Sequence, residues 1–226
     1  MNTFRVLSAL LTYPTPDLVT ALPEMKEILK QESLLQEADV DGLGGLFTDL
    51  SSLDIYDLQA RYVELFDQYR SMSLHLFEHV HGESRDRGQA MVSLLERYRE
   101  IGLELSAVEL PDFLPVYLEY LSQLPPADAR AELAEPVAVI TTLARRLDKR
   151  HSPYAAVLSS LEHLAQAEPK QADLEELALE EAEDAASRQA LDAEWQEEPV
   201  DFSRREASFV GRQRARSVGS ALRKEP

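Results

Sequence analysis

The sequence predicts an all-α, single-domain protein followed by a poorly ordered extension, and three observations carry that reading. Leu, Ala, Glu and Arg dominate a chain of 226 residues with eight glycines, a composition of strong helix formers. Apolar residues recur at three- and four-residue intervals, with no period-two runs of Val, Ile and Thr. From residue 168 the apolar residues thin out: residues 168–201 carry 13 acidic and 2 basic groups, and residues 202–226 carry 2 and 7. Such a segment buries too little apolar surface to offset the entropy of ordering it. The helical domain is therefore placed at 1–167 and a largely mobile tail, acidic and then basic, at 168–226.

The elements follow from local chemistry. Residues 3–11 form a short helix ended at Tyr13-Pro14-Thr15-Pro16, because proline removes a donor and turns its predecessor away from the helical region. A second helix starts at Pro16 or Asp17 and runs to about Lys30. A third, from Val40 to Leu50, contains Gly42, Gly44 and Gly45, which either permit close packing or fray its start. Asp54 is an N-cap for a helix with Ile55, Leu58, Tyr62, Leu65, Phe66 and Tyr69 in one stripe. Arg70 to Ser73 interrupts it, and Leu74 to Val80 is a short helix jointed at His81-Gly82-Glu83-Ser84. Ser84 or Asp86 opens the next, with Met91, Leu94, Leu95 and Tyr98 inward and Gly102 at its end. Pro111 sits in the first turn of a helix reaching Leu124, closed by Pro125-Pro126. One further helix is lined by Leu133, Val137, Ile140, Ala144 and Leu147, with Pro136 near its start, and a last one by Tyr154, Val157, Leu158, Leu161 and Leu164. The core ends near residue 167, with Leu174, Leu177 and Ala178 supporting a transient helix, and Trp195 and Phe202 as docking points.

Composition also narrows function. There is no cysteine, which removes thiolate metal sites, disulfides and a thiol nucleophile together. The net charge of -18 repels phosphate, so nucleic acid is not an expected partner, and a cationic one is. The amino terminus, MNTFRVLSALLTYP, is too short in apolar residues for a signal peptide or a membrane span. A cytoplasmic protein without stable membrane association is expected.

The densest chemistry lies in LFEHVHGESRDRGQAMVSLL, Leu76 to Leu95. His75, His79, His81 and Glu83 have partial metal-ligand spacing, but position 76 is Leu where a zinc-protease helix needs Glu, and His81 falls at the helix end. A hydrogen-bonded turn or a partner surface fits these residues better, with a His-cluster metal site as the alternative. Glu78, Glu83 and Asp86 could serve as acid or base, yet no nucleophile elbow, phosphate loop or dinucleotide fingerprint accompanies them. Arg85 and Arg87 stand in a first turn whose dipole disfavours them, so Glu83, Glu119 or Asp67 is expected to hold them in place, or they hold a partner's carboxylate. Aromatic residues Tyr62, Phe66, Phe77 and Tyr120 could line a slot for an amphipathic helix, with Glu64, Asp67 and Glu119 on its rim.

Tyr62-Val-Glu-Leu-Phe-Asp67, Leu76-Phe-Glu-His-Val-His-Gly-Glu-Ser-Arg-Asp-Arg-Gly-Gln-Ala-Met91, Glu109-Leu-Pro-Asp112, Leu118-Glu-Tyr-Leu-Ser-Gln-Leu-Pro125 and Leu191-Asp-Ala-Glu-Trp195 together resemble the NarJ family of nitrate reductase assembly chaperones. The resemblance implies a helical fold of the TorD-like redox-enzyme maturation type and no catalytic activity. It also implies a monomer that binds the apo catalytic (alpha) subunit of respiratory nitrate reductase, including its N-terminal peptide. Insertion of the molybdenum cofactor into that client would precede membrane docking, with no cofactor bound stably by the chaperone itself; a related molybdoenzyme is the alternative client. On this reading Tyr62, Phe66, Asp67, Phe77, His79, Glu83, Arg87, Glu119 and Tyr120 are the expected client-peptide contacts, and His79 and His81 could make release pH-dependent.

Overall fold

The amino-terminal apolar stripe makes the first packed layer. In a computed structural model, which describes residues 1–81, 84–105 and 109–179, α1 (Asn2–Leu10) packs on α2 (Pro16–Glu32) and on α8 (Leu114–Gln123). Phe4, Leu7 and Leu10 are buried in these contacts. The Glu32 carboxylate at the end of α2 accepts from the Asn2 and Thr3 amides and the Thr3 hydroxyl, satisfying donors that the start of α1 leaves open. α2 begins at Pro16, one of the two expected starts, and Thr15, expected only as part of the preceding turn, caps it through the Leu18 amide.

The expected glycine-rich helix is two helices, α3 (Glu37–Gly42) and α4 (Gly44–Ser52), meeting at Leu43. Space does not demand these glycines: a β-carbon on Gly42 would lie an ordinary 3.8 Å from Ala156, and one on Gly44 would meet nothing. α5 (Ile55–Phe66) is capped by Asp54 on the Tyr56 amide at 2.9 Å. A 3-10 turn, Arg70–Met72, then leads into the short α6 (Leu76–His81), and α7 spans Arg85–Glu100. Gly102 ends that run with φ of +77°, a conformation that glycine adopts without a β-carbon clash.

Two proline expectations are corrected. Pro111 does not open α8, which begins at Leu114. The Leu114 amide donates to Leu74 O at 2.8 Å and the Leu76 amide to Asp112 O at 3.0 Å. The backbone around Phe113 is thus used in a short antiparallel bridge to His75 and cannot be helical. Pro136 also does more than sit near a helix start: Leu133 belongs to α9 (Pro126–Ala134), and α10 (Val137–Lys149) begins after the proline. Without an N–H, Pro136 cannot serve the Glu132 carbonyl four residues back, and that carbonyl accepts instead from the Glu135 amide at 3.1 Å and the Tyr117 hydroxyl at 2.8 Å.

The apolar face of α10, with Ile140, Leu143 and Leu147 fully buried, packs against α11 (Ala155–Ala165). The expected end of the core near 167 also needs revision. Residues 171–179 are helical, and Leu177 is buried in the main core. Arg146, 2% exposed, donates to the carbonyls of Ser71 and Leu177, so one buried guanidinium joins the 3-10 turn to this segment. Residues 180–226, with Trp195 and Phe202, lie outside the described residues.

Leu177→Ala is expected to lower the free energy of unfolding by about 2–4 kcal/mol, the cost of a core cavity. Urea denaturation measures it, and unchanged stability would show that the core does end at residue 167.

Candidate functional site

The dense histidine and carboxylate block is organised by one buried acid. Asp112 has no solvent exposure. Its carboxylate accepts from the Phe77 amide at 3.1 Å and faces His75 Nδ1 at 3.2 Å, with an Arg87 guanidinium nitrogen 3.9 Å away. It thereby satisfies an open donor at the start of α6, a task usually given to the residue just before the helix. Arg87 makes its closer bond to Glu78 at 3.1 Å, Arg70 donates to the Glu78 carbonyl, and His79 Nε2 meets the Ser73 carbonyl at 2.8 Å. The hydrogen bond to Asp112 raises the His75 pKa above 6.5, against the opposing effect of burial.

These contacts sort the expected site residues. Arg87 is held by carboxylates, as expected, but its partners are Glu78 and Asp112; Glu119 lines a different cleft, Asp67 sits exposed at the end of α5, and Glu83 lies outside the described residues. His75 and His79 address different partners, and among the described residues no group of three or more His, Asp or Glu side chains is placed to hold a metal ion.

The four aromatic residues do not share one slot. Tyr62 and Phe66, each 5% exposed, belong to a core cluster with Tyr154, and the Tyr62 hydroxyl donates to Leu11 O at 2.8 Å. Tyr120 packs on Tyr98 with ring centroids 4.8 Å apart. Phe77 makes an edge contact with His81, at 5.7 Å. Periodicity places all of these on inward faces but cannot say which inward face meets which. Burial raises the pKa of Tyr154 to about 12 and those of Tyr62, Tyr98 and Tyr117 further, so these phenols stay neutral, and the last three donate to the carbonyls of Leu11, Pro111 and Glu132.

Among the described residues, a pair of clefts carries α7 side chains in its lining. The first, about 310 Å³, is lined by Leu76, Phe77, Val80 and His81 of α6, Ala90, Ser93, Leu94 and Arg97 of α7, and Tyr117, Glu135 and Pro136. Its one arginine is fixed, since Arg97 meets Glu132 at 2.6 Å and Glu135 at 3.2 Å. The second, about 580 Å³, has Tyr98, Leu103, Val116 and Tyr120 as apolar lining and Glu104, Glu109 and Glu119 as acids, with Arg5 as the cation. It continues along Leu103–Leu105 and Glu109–Pro111 into a further hollow of about 510 Å³. Phe77, Glu119 and Tyr120 among the expected residues line these clefts. Val80, Leu94, Glu104 and Glu109 were not anticipated; the exposed valine within an otherwise inward α6 stripe was the available signal.

Residues 17–160, which include all of both clefts except Arg5, match the family described as nitrate reductase delta subunit. The chain belongs to that family. Other members of the nitrate reductase delta subunit family extend the match. The chain is 46% identical over 197 residues to the nitrate reductase molybdenum cofactor assembly chaperone NarJ of Escherichia coli (strain K12), covering 87% of this chain and 83% of that protein. It is 40% identical over 204 residues to NarW of the same strain, covering 89% and 84%. The fold of this delta-subunit relative is that of a crystallised redox enzyme maturation protein from Archaeoglobus fulgidus, with a TM-score of 0.50 at 22% identity over 71% of this chain and 90% of the other.

Because His75 has a higher pKa folded than its ordinary 6.5, its charged pairing with Asp112 contributes stability that is full below about pH 6.5 and lost as pH rises through the raised value. Asp112→Asn is expected to destabilise the fold by about 2–3 kcal/mol near pH 6, with a smaller loss at pH 9. Urea unfolding of both proteins across that range gives the comparison; a gap that widens with pH would refute the pairing.

Proposed function

We propose that this protein is a cytoplasmic, monomeric assembly chaperone for respiratory nitrate reductase. It binds the apo catalytic subunit, including its N-terminal peptide, and holds it open to molybdenum cofactor insertion before membrane docking. The observation that carries this reading is the 46% identity, across 87% of the chain, to a protein named as a nitrate reductase molybdenum cofactor assembly chaperone. The geometry supports it. Several polar groups of the dense block have internal partners: His75 meets Asp112, His79 meets Ser73 and Arg87 meets Glu78. Among the described residues an apolar cleft and an acidic one are open, surfaces that suit an amphipathic, basic peptide. Among the described residues no helix is long and apolar enough to cross a membrane, which agrees with a protein that meets its client before docking.

Capture of nitrate reductase tests the reading. Immobilised protein is expected to retain the catalytic subunit made without molybdenum cofactor and to release it once the cofactor is supplied. Equal retention of mature enzyme would instead indicate a permanent subunit, and no retention of either form would refute the assignment.

A further inference from the structure

The two clefts share no lining residue and differ in chemistry, yet α7 contributes to both: Ala90, Ser93, Leu94 and Arg97 line the apolar one, Tyr98 lines the acidic one, and Leu95 and Arg99 line the hollow that continues it. We infer that one client segment is bound astride α7, its apolar side chains in the Phe77 cleft and its basic side chains in the cleft of Glu104, Glu109 and Glu119. This rests on the chaperone reading and goes beyond it by assigning each half of the peptide to a place.

The helical rotation of 100° per residue separates the flanks. Ala90, Ser93, Leu94 and Arg97 face the apolar cleft; Leu95, Tyr98 and Arg99 face the acidic side. The crest between them exposes Val92 and Glu96, and Val80, 57% exposed, extends apolar surface to the mouth of the first cleft. In that cleft Arg97 is already neutralised by Glu132 and Glu135, so an entering cation finds no free carboxylate pair and an entering apolar group displaces water at little polar cost. In the other, Glu104, Glu109 and Glu119 are exposed and have no ion-pair partner among the described residues. Their charges select a basic segment, while Leu103, Val116 and Tyr120 receive its aliphatic stems.

An α-helix with its side chains is about 10–12 Å across. A segment crossing it needs about four residues if extended, at about 3.3 Å each, or about seven if helical, at about 1.5 Å each. The client segment therefore carries its apolar and basic groups as two blocks separated by that distance. Apolar burial then governs how long the peptide stays and the acidic cleft governs how fast it arrives.

Stopped-flow fluorescence with the labelled amino-terminal peptide of the catalytic subunit separates the two. The triple change Glu104→Gln, Glu109→Gln, Glu119→Gln alters only exposed side chains and is expected to slow association about tenfold at low salt, with dissociation within about twofold. Val80→Asp, also at an exposed site, is expected to speed dissociation about tenfold and leave association nearly unchanged. A peptide with its basic residues replaced by Gln should reproduce the slow association with the unaltered protein and lose nothing further with the triple variant. Wild-type kinetics in either variant, or a full additional loss with the neutral peptide, would overturn the two-cleft assignment while leaving the chaperone reading in place. A peptide that does not bind the unaltered protein at all would overturn both.

Discussion

A carboxylate with no access to solvent, that of Asp112, ties together the two segments from which the clefts are built. It caps α6 from a distant point in the chain, so the helix that carries Phe77 and Val80 cannot be placed without the loop before α8. Burying a charge is costly unless it is paired and hydrogen-bonded, and His75, the Phe77 amide and, more distantly, Arg87 meet that requirement. The antiparallel bridge between His75 and Phe113 adds backbone bonds to the same junction. One flank of α7 rests on α6 and the other faces the Glu109–Pro111 stretch, and both are located by this single tie.

Helix starts and stops were legible wherever the signal is local. Pro16, Asp54 and Gly102 each act within one turn; Asp54 and Gly102 appear where the sequence places them, and Pro16 is one of the two starts it allows. Three features were not legible because they depend on partners far along the chain. The three-residue delay of α8 follows from pairing with residues 74–76, the Glu132 carbonyl before the break at Pro136 takes a second bond from the distant Tyr117 hydroxyl, and the burial of Leu177 accompanies the grip of Arg146 on its carbonyl. An acidic neighbourhood around Leu174 and Leu177 reads as solvated until that guanidinium is known.

The site was partly legible for the same reason. In the block from Leu76 to Leu95, Glu78, His79 and Arg87 are engaged by internal partners, Ser84, Arg85, Asp86, Gln89 and Ser93 are exposed, and Phe77 and Val80 line the first cleft beside the buried Leu94. Tyr62 and Phe66 look like groove aromatics in a stripe pattern, yet they close the core against Tyr154. The acids that matter on the other flank lie on the segment after α7 and on α8, separated in sequence and joined only by the fold. On the proposed chaperone reading, the distribution of charge supplies a physical reason why a basic, amphipathic segment would be held and later released: attraction to exposed carboxylates is screened by salt.

Hydrogen–deuterium exchange of the protein with and without the client's amino-terminal peptide tests the central claim directly. Bound peptide is predicted to slow exchange in α6, along α7 and in the start of α8, with residues 55–66 of α5 unchanged. Protection centred on α5, around Tyr62 and Phe66, would contradict the account.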